Sequence, residues 1–171
     1  MSEESFDDLM QREWAPVLAV ATALVGRGGV AEELTQEAFF AAHRRWDHVG
    51  TLDRPGAWVR RVVINRSVSH LRRRRIELRV MGVIGRTGSL VDDDGIAPSP
   101  AIDDALWNEV RRLPARQAQC VVLRHVDGLR AKEIAELLGC STATVRVHLH
   151  RGLHTLRSRV DRFGAPALEA T

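Results

Sequence analysis

Apolar positions recur along most of the chain at intervals of three and four residues, the spacing of one face of an α-helix. The pattern predicts helices over about residues 6–25, 31–46 and 55–79, and again over 106–160, with a short polar loop at 47–54. No segment shows the sustained alternation of a strand. The predicted fold class is therefore all-α.

Residues 80–103 differ in kind from the segments on either side. They combine several glycines and prolines with three consecutive aspartates, a composition typical of a flexible linker. The sequence thus predicts two small helical domains, at 1–79 and 104–162, joined by a flexible acidic linker at 80–103 and followed by a tail at 163–171.

The segment RAKEIAELLGCSTATVRVHLHRG, residues 130–152, has the pattern of a helix-turn-helix. A short helix is predicted from Ala131 to Leu138. Gly139 suits the left-handed conformation at a helix C-terminus, and either Ser141 or Thr142 can cap the helix that follows. Each special position holds a residue type that its geometry favours.

The second helix of this motif has two distinct faces when residues are placed about 100° apart. The apolar face, expected to pack inward, consists of Val145, Leu149, Leu153 and Leu156. The opposite face and its flanks carry Thr144, Arg146, Val147, His148, His150 and Arg151. Arginine can bind guanine, and valine can contact a thymine methyl group in the major groove. A merely solvated polar face would not explain Val147, so the pattern favours DNA binding.

Charge is distributed unevenly, although the formal net charge is only +3. Residues 60–79 contain eight arginines and a single acid, Glu77. Residues 141–162 contain five arginines and three histidines, with Asp161 as the only acid. Two basic segments indicate two contacts with a polyanion.

The third helix carries the first of these basic segments, and its polar side chains share one face. That face consists of Arg61, Asn65, Ser69 and Arg72. The Asn65 amide can pair with an exposed base edge, while the run Arg72, Arg73, Arg74 and Arg75 can neutralise phosphates. Trp58 lies one turn earlier, where it either stacks on an unpaired base or belongs to the core.

Several other kinds of site are disfavoured by the residues present. His150 and His154 are four residues apart, but zinc needs three or four protein ligands and no carboxylate or cysteine adjoins them. We expect no metal, no cofactor and no enzymatic activity, because a nuclease would need clustered carboxylates or an activated nucleophile. Cys120 and Cys140 are expected to be packed thiols.

No apolar stretch is long enough to span a membrane, and the acidic N-terminus lacks the features of a secretory signal. The sequence therefore predicts a cytoplasmic protein with no membrane partner.

Three stretches in order resemble the extracytoplasmic-function (ECF) class of bacterial RNA polymerase sigma factors. They are AEELTQEAFFAAHRRW, RPGAWVRRVVINRSVSHLRRRR and LPARQAQCVVLRHVDGLRAKEIAELLGCSTATVRVHLHRGLHTLR. The resemblance implies sigma region 2 in the first domain and region 4 in the second. It also implies binding to the clamp helices of the largest subunit and the flap region of core RNA polymerase, recognition of minus-ten and minus-thirty-five promoter DNA, and a partner anti-sigma factor.

The resemblance also assigns roles to particular positions. Those that match the polymerase-binding segment are Glu33, Gln36 and Glu37. Asn65 matches a minus-ten reader, and the positions that match minus-thirty-five contacts are Arg146, His148 and Arg151. Ser69, Val147 and His148 depart from residue types common in the family, which affects the promoter sequence rather than the class.

A LuxR-type transcriptional regulator is the main alternative, because its helix-turn-helix resembles KEIAELLGCSTATVRVHL. Such a regulator would need a sensing or receiver domain, and residues 1–79 show neither strands nor a phosphoacceptor acidic pocket. Co-purification with core polymerase distinguishes the two classes.

Overall fold

The computed structural model describes residues 5–80 and 101–160, and within these ranges the regular structure is entirely helical. The all-α prediction is confirmed. The helices are α1 (Phe6–Val25), α2 (Gly29–His43), α3 (Trp46–Val49), α4 (Pro55–Val80), α5 (Ala101–Arg111), α6 (Ala115–His125), α7 (Ala131–Leu138) and α8 (Thr142–Val160). We call residues 5–80 the N-terminal unit and residues 101–160 the C-terminal unit.

Helix α1 begins at a reciprocal hydrogen-bonded cap. The Ser5 hydroxyl accepts a hydrogen bond from the Asp8 backbone N–H at 3.2 Å, and the Asp8 carboxylate accepts one from the Ser5 backbone N–H at 3.2 Å. Both bonds satisfy donors that a helix N-terminus leaves unpaired. The hydrogen bond from the Ser5 side chain, followed by the one from its backbone, lowers the pKa of Asp8.

The core of the N-terminal unit lies where α1, α2 and α4 pack together. The apolar faces predicted from the sequence supply it. Its buried side chains include Leu9, Val17, Val20, Leu34, Phe39, Val59, Val63 and Ile64. The rings of Trp14 and Phe39 lie 5.5 Å apart and join α1 to α2. Each helix therefore has one face fixed in the core and leaves another available on the surface.

The prediction of one continuous helix over residues 31–46 was wrong, and so was the first part of the predicted loop at 47–54. Helix α2 ends at His43, and a separate helix α3 occupies Trp46–Val49. The Phe6 ring contacts the rings of His43 and Trp46 edge-on at 4.9 Å and 5.5 Å, and Val49 is fully buried. Packing against the start of α1 thus turns the chain where no glycine or proline signals a break.

Helices α5 to α8 of the C-terminal unit extend the same buried cluster, and α5 and α6 also pack against α1. The most deeply buried side chains of this unit include Val110, Leu113, Val122, Leu123, Ile134 and Val145. Gly152 of α8 lies against α6 so closely that a Cβ atom added there would be 3.0 Å from Val121 Cγ2. A glycine at this position permits close crossing of the two helices.

The ends of the two units differ slightly from the predicted domain limits. Helix α4 continues to Val80, and α5 begins at Ala101, three residues before the predicted start of the second domain at 104. The acidic run at 92–94 and the tail at 163–171 lie outside the described residues. The domain boundaries remain a prediction.

The two cysteines are free thiols, as predicted, with Cys120 buried and Cys140 half-buried. Burial, with a further contribution from Cys140, raises the pKa of Cys120 to about 11. Across both described ranges, the helices are too short or too polar for any of them to traverse a bilayer.

Candidate nucleic-acid and polymerase interfaces

The turn between α7 and α8 fixes the direction of the second helix of the helix-turn-helix. Gly139 adopts φ 66° and ψ 43°, the left-handed conformation predicted for it, and its N–H bonds to the Ala135 carbonyl. The Ser141 hydroxyl then accepts a hydrogen bond from the Thr144 backbone N–H at 3.0 Å. Since Val145 is fully buried, the opposite side of α8 must face outward.

Most of the side chains predicted to meet minus-thirty-five DNA lie on this outward side of α8. The exposed ones are Thr144, Arg146, Val147, His150 and Arg151. Val147 is 46% exposed, an unusual position for a large apolar side chain on a basic helix face. His148 is only half-buried rather than exposed, and its Nδ1 is buried without a hydrogen-bond partner in the described structure.

Helix α4 carries the predicted minus-ten residues. Arg61, Asn65, Ser69 and Arg72 form one exposed ridge along it, and Arg73 and Arg75 are also exposed. Arg74 is half-buried, and so is Trp58, which packs against the core. The two readings of Trp58 are therefore not exclusive, because part of its ring contributes to packing and part remains accessible.

The predicted polymerase-binding residues lie on the surface of α2. Glu33 and Gln36 are exposed. Glu37 is half-buried and forms an ion pair with Arg66 of α4. We call Glu33, Gln36 and Glu37 the acidic face of α2.

Phe40 extends this acidic face and was missed by the sequence analysis. It follows Glu33, Gln36 and Glu37 by seven, four and three residues, the spacings of a single helix face. Its side chain is 63% exposed, and the Arg44 guanidinium lies 5.9 Å from the ring centroid. The helical spacing could have revealed Phe40. Phe39 falls on the buried face of α2, so its neighbour Phe40, about 100° further round the helix, falls on a different face.

A second feature not predicted is a group of charged side chains where α4 meets the C-terminal unit. Arg60 Nε donates to Asp127 Oδ2 at 2.6 Å, and Arg60 Nη1 donates to Glu13 Oε2 at 2.5 Å. Burial lowers the pKa of Arg60, but the Asp127 and Glu13 carboxylates more than offset this, so its pKa lies above the ordinary value.

A second ion pair crosses the same boundary. Arg54 Nη2 donates to Glu133 Oε1 at 3.0 Å. The hydrogen bond from the Arg130 backbone N–H, and then the one from Arg54, lowers the pKa of Glu133.

The rings of His150 and His154 stack with their centroids 6.5 Å apart. Among the residues that the structure describes, no three or more histidine, cysteine or acidic side chains are grouped as metal ligands would be.

Comparison with protein-family models assigns both units. Residues 9–76 match the model described as Sigma-70 region 2, and residues 103–156 match the one described as Sigma-70, region 4. The chain belongs to the sigma-70 family of RNA polymerase sigma factors. The LuxR-type alternative is not supported, because the N-terminal unit of this sigma factor matches region 2.

Full-length relatives narrow the assignment to the ECF group. The sigma factor is 24% identical to the ECF RNA polymerase sigma factor SigW of Bacillus subtilis over 168 residues, covering 92% of this chain and 90% of SigW. It is 30% identical to an RNA polymerase sigma-E factor of Streptomyces avermitilis over 167 residues, covering 96% and 90% of the two chains. The predicted function, directing RNA polymerase to promoters, is thereby confirmed; sigma factors are initiation factors rather than enzymes.

Two solved structures share the fold. The sigma factor RpoE of Bartonella quintana, in complex with the anti-sigma factor NepR, gives a TM-score of 0.72 at 18% identity and covers 91% of this chain and 96% of that one. CnrH, in complex with the cytosolic domain of CnrY, gives 0.64 at 19% identity, covering 92% and 88%.

Proposed function

We propose that this sigma factor docks on core RNA polymerase through α2 and reads the two promoter elements with α4 and α8. It acts in the cytoplasm as a non-enzymatic subunit. The proposed polymerase-binding residues are Glu33, Gln36, Glu37 and Phe40. The proposed minus-ten residues are Trp58, Arg61, Asn65, Ser69 and Arg72 to Arg75, and the minus-thirty-five residues are Thr144, Arg146, Val147, His148, His150 and Arg151.

The observation that carries the DNA assignment is the outward face of α8. An exposed valine stands there between arginines, while the opposite side of the same helix is anchored by fully buried Val145. A recognition helix needs this combination, since basic side chains bind guanine edges and phosphates while an apolar one contacts a thymine methyl group. If this face of α8 contacted only solvent, a polar residue would be favoured at the position of Val147.

On α4 the supporting observation is the order of side chains along the exposed ridge. Asn65 and Ser69 come before the four arginines, so hydrogen-bonding groups adjoin a strongly basic helix end. Asn65 and Ser69 would contact unpaired bases of the minus-ten element, and the arginines would hold the adjacent duplex by its phosphates. Extruding a base costs a few kcal/mol, which phosphate and polymerase contacts offset.

The acidic face of α2 supports the polymerase contact. Its charge is unsuited to DNA, because carboxylates repel phosphates, and it suits a basic protein surface. Phe40 adds an exposed aromatic side chain, and aromatic residues are enriched in the cores of protein interfaces.

An anti-sigma factor is the further proposed partner. Support comes from the structural neighbours, which were solved as complexes with NepR and with the cytosolic domain of CnrY. Purification of this sigma factor from its own cells, followed by identification of stoichiometric partners, tests this part of the proposal.

The experiment that tests DNA reading is a binding series with holoenzyme on promoter variants at fixed salt. Arg151→Ala should lose about 1–3 kcal/mol and relax the preference at one base pair of the minus-thirty-five element. Arg157→Ala is the matched control, since Arg157 is an exposed arginine of the same helix outside the proposed set. Equal losses for both variants on every sequence would contradict base reading by Arg151.

A further inference from the structure

His148 lies at the edge of the outward face of α8, with one side of its ring turned into the protein. The side chain is half-buried, and Nδ1 is buried with no hydrogen-bond partner among the described residues. Nε2, by contrast, is not buried. Val145, three residues earlier, and Gly152, four residues later, are both buried, so His148 adjoins the packed side of the helix. Nε2 is therefore the ring nitrogen that can reach a ligand.

The burial of Nδ1 determines which nitrogen carries the proton of the neutral ring. A neutral imidazole has one N–H donor and one acceptor nitrogen. A proton on Nδ1 would place an N–H group in the interior with nothing to accept it, whereas a proton on Nε2 leaves only a lone pair there. Orphaned buried N–H groups are rarer in proteins than under-satisfied acceptors. His148 should therefore carry its proton on Nε2 and present a single donor to the outside.

A packing role alone does not account for this side chain. Buried polar atoms without partners are few in proteins, and each one reduces stability. An apolar side chain would fill the same space without an orphaned nitrogen. A contact made by Nε2 accounts for the imidazole, and because packing holds the inner edge of the ring, the outer donor is already oriented and loses little conformational freedom on binding.

The bases of the major groove differ in what a single donor can bind. Guanine presents two acceptors, N7 and O6, and thymine presents one acceptor beside a methyl group. Adenine has an amino donor beside its N7, and cytosine presents only an amino donor. A lone N–H group therefore matches guanine best and cytosine worst. Thr144, four residues before His148, and Arg151, three residues after it, are exposed, so His148 lies between two side chains proposed to face the same groove.

We propose that His148 is a specificity-determining residue of the minus-thirty-five contact, and that it reads a guanine by donating a hydrogen bond from Nε2 to N7 or O6. This inference rests on the proposed role of α8 and adds the group on the DNA that His148 recognises. One neutral hydrogen bond should favour guanine over cytosine at that base pair by about 2- to 12-fold. A bidentate arginine contact should discriminate by about 5- to 150-fold.

The tautomer is measured on the free full-length chain by NMR, from two-bond correlations between the ring protons and the labelled ring nitrogens of histidine. At about pH 9, where ordinary imidazoles are neutral, His148 should give the pattern of the Nε2–H tautomer. His150 is the internal reference, because it is exposed on the same helix and burial does not select either of its nitrogens. An Nδ1–H pattern for His148, or a mixture like that of His150, overturns the proposal.

Base preference is measured with holoenzyme at fixed salt and pH, on promoters in which each minus-thirty-five base pair is replaced in turn. The amide of His148→Asn reaches about as far as Nδ1 and falls short of Nε2, so the preference for guanine should be lost at one base pair and unchanged at the others. His148→Arg is the matched control, since arginine also donates to N7 and O6. It should keep guanine at that base pair and discriminate more strongly than the wild type.

The outcomes distinguish a reading role of His148 from a structural one. A folded His148→Asn variant that keeps the wild-type preference at every position overturns the proposal. Equal losses on every promoter, or selection of a different base by His148→Arg, overturn it too. If circular dichroism shows that the variants are unfolded, the tautomer of the wild type decides alone.

Arg151→Ala separates this inference from the proposed function. If Arg151→Ala relaxes the preference at one base pair while His148→Asn relaxes none, only the role of His148 is refuted. If neither variant changes the sequence preference of the holoenzyme, DNA reading by α8 is refuted as well.

Discussion

Phe40 offers the sharpest test of the polymerase-binding surface, because its chain neighbour serves as an internal control. A phenylalanine side chain has roughly 150–250 Å² of surface to bury. With 63% of Phe40 exposed, about 125 Å² remains available to a partner, worth about 3 kcal/mol at 25 cal/mol per Å². Alanine keeps part of that contact. We therefore expect Phe40→Ala to weaken core polymerase binding by about 30- to 150-fold.

The same substitution should hardly change the stability of the free chain. Phe40 makes few contacts that folding depends on, and the interaction with Arg44, with 5.9 Å between guanidinium and ring, contributes about 0.5–1 kcal/mol at an exposed site. Phe39 is 2% exposed and packs against Trp14. Phe39→Ala should therefore lower the free energy of unfolding by about 3–5 kcal/mol.

The assay is a fluorescence titration of labelled sigma factor with core polymerase, paired with urea unfolding of each free variant. Phe40→Leu should recover most of the lost affinity, since it restores much of the apolar surface without the ring. Wild-type affinity for Phe40→Ala would refute the assignment of this face. A large loss of stability in Phe40→Ala would refute the placement of its side chain outside the core.

Two further predictions concern local structure. Gly139→Ala should destabilise region 4 by about 0.5–1.5 kcal/mol, because the left-handed conformation costs an L-residue about 1–2 kcal/mol while the lower flexibility of the unfolded alanine variant offsets part of that cost. Gly139→Asn should cost less. Equal melting curves for the two variants would refute the strain. Ser5→Ala should lower stability by about 1 kcal/mol through loss of the α1 cap and raise the pKa of Asp8 toward its ordinary value in an NMR titration. The folded-state pKa of Asp8 is lowered, so the ionised carboxylate contributes to stability above its unfolded-state pKa, and this contribution is lost as pH falls through the folded-state pKa. The difference in stability between Ser5→Ala and the wild type should therefore shrink in acid.

Local signals in the sequence predicted some helices well. Helix α1 occupies the predicted residues 6–25, where a capping serine precedes it and a glycine-rich turn follows. Helix α7 occupies the predicted Ala131–Leu138, ended by left-handed Gly139. At these sites the backbone conformation depends on residues within a few positions of one another, which is the information that a single sequence holds.

The break between α2 and α3 had no such signal. Residues 44 and 45 are both arginines, good helix formers, and nothing in the sequence near them stops a helix. The ring contacts of Phe6 with His43 and Trp46 join positions some forty residues apart. Tertiary packing determined this turn, and periodicity alone could not reveal it.

The arginines of α4 show that the assignment of function also depends on tertiary contacts that the sequence does not reveal. Counted along the sequence, residues 60–79 offer eight positive charges. In the fold, Arg60 forms ion pairs with Asp127 and Glu13, and Arg66 forms one with Glu37. Each phosphate contact adds about 0.9 to the slope of log affinity against log salt, so charges already neutralised by carboxylates should add little to it. The basic segment is thus divided between holding the protein together and binding DNA, and only the second share should appear in the salt dependence of promoter binding.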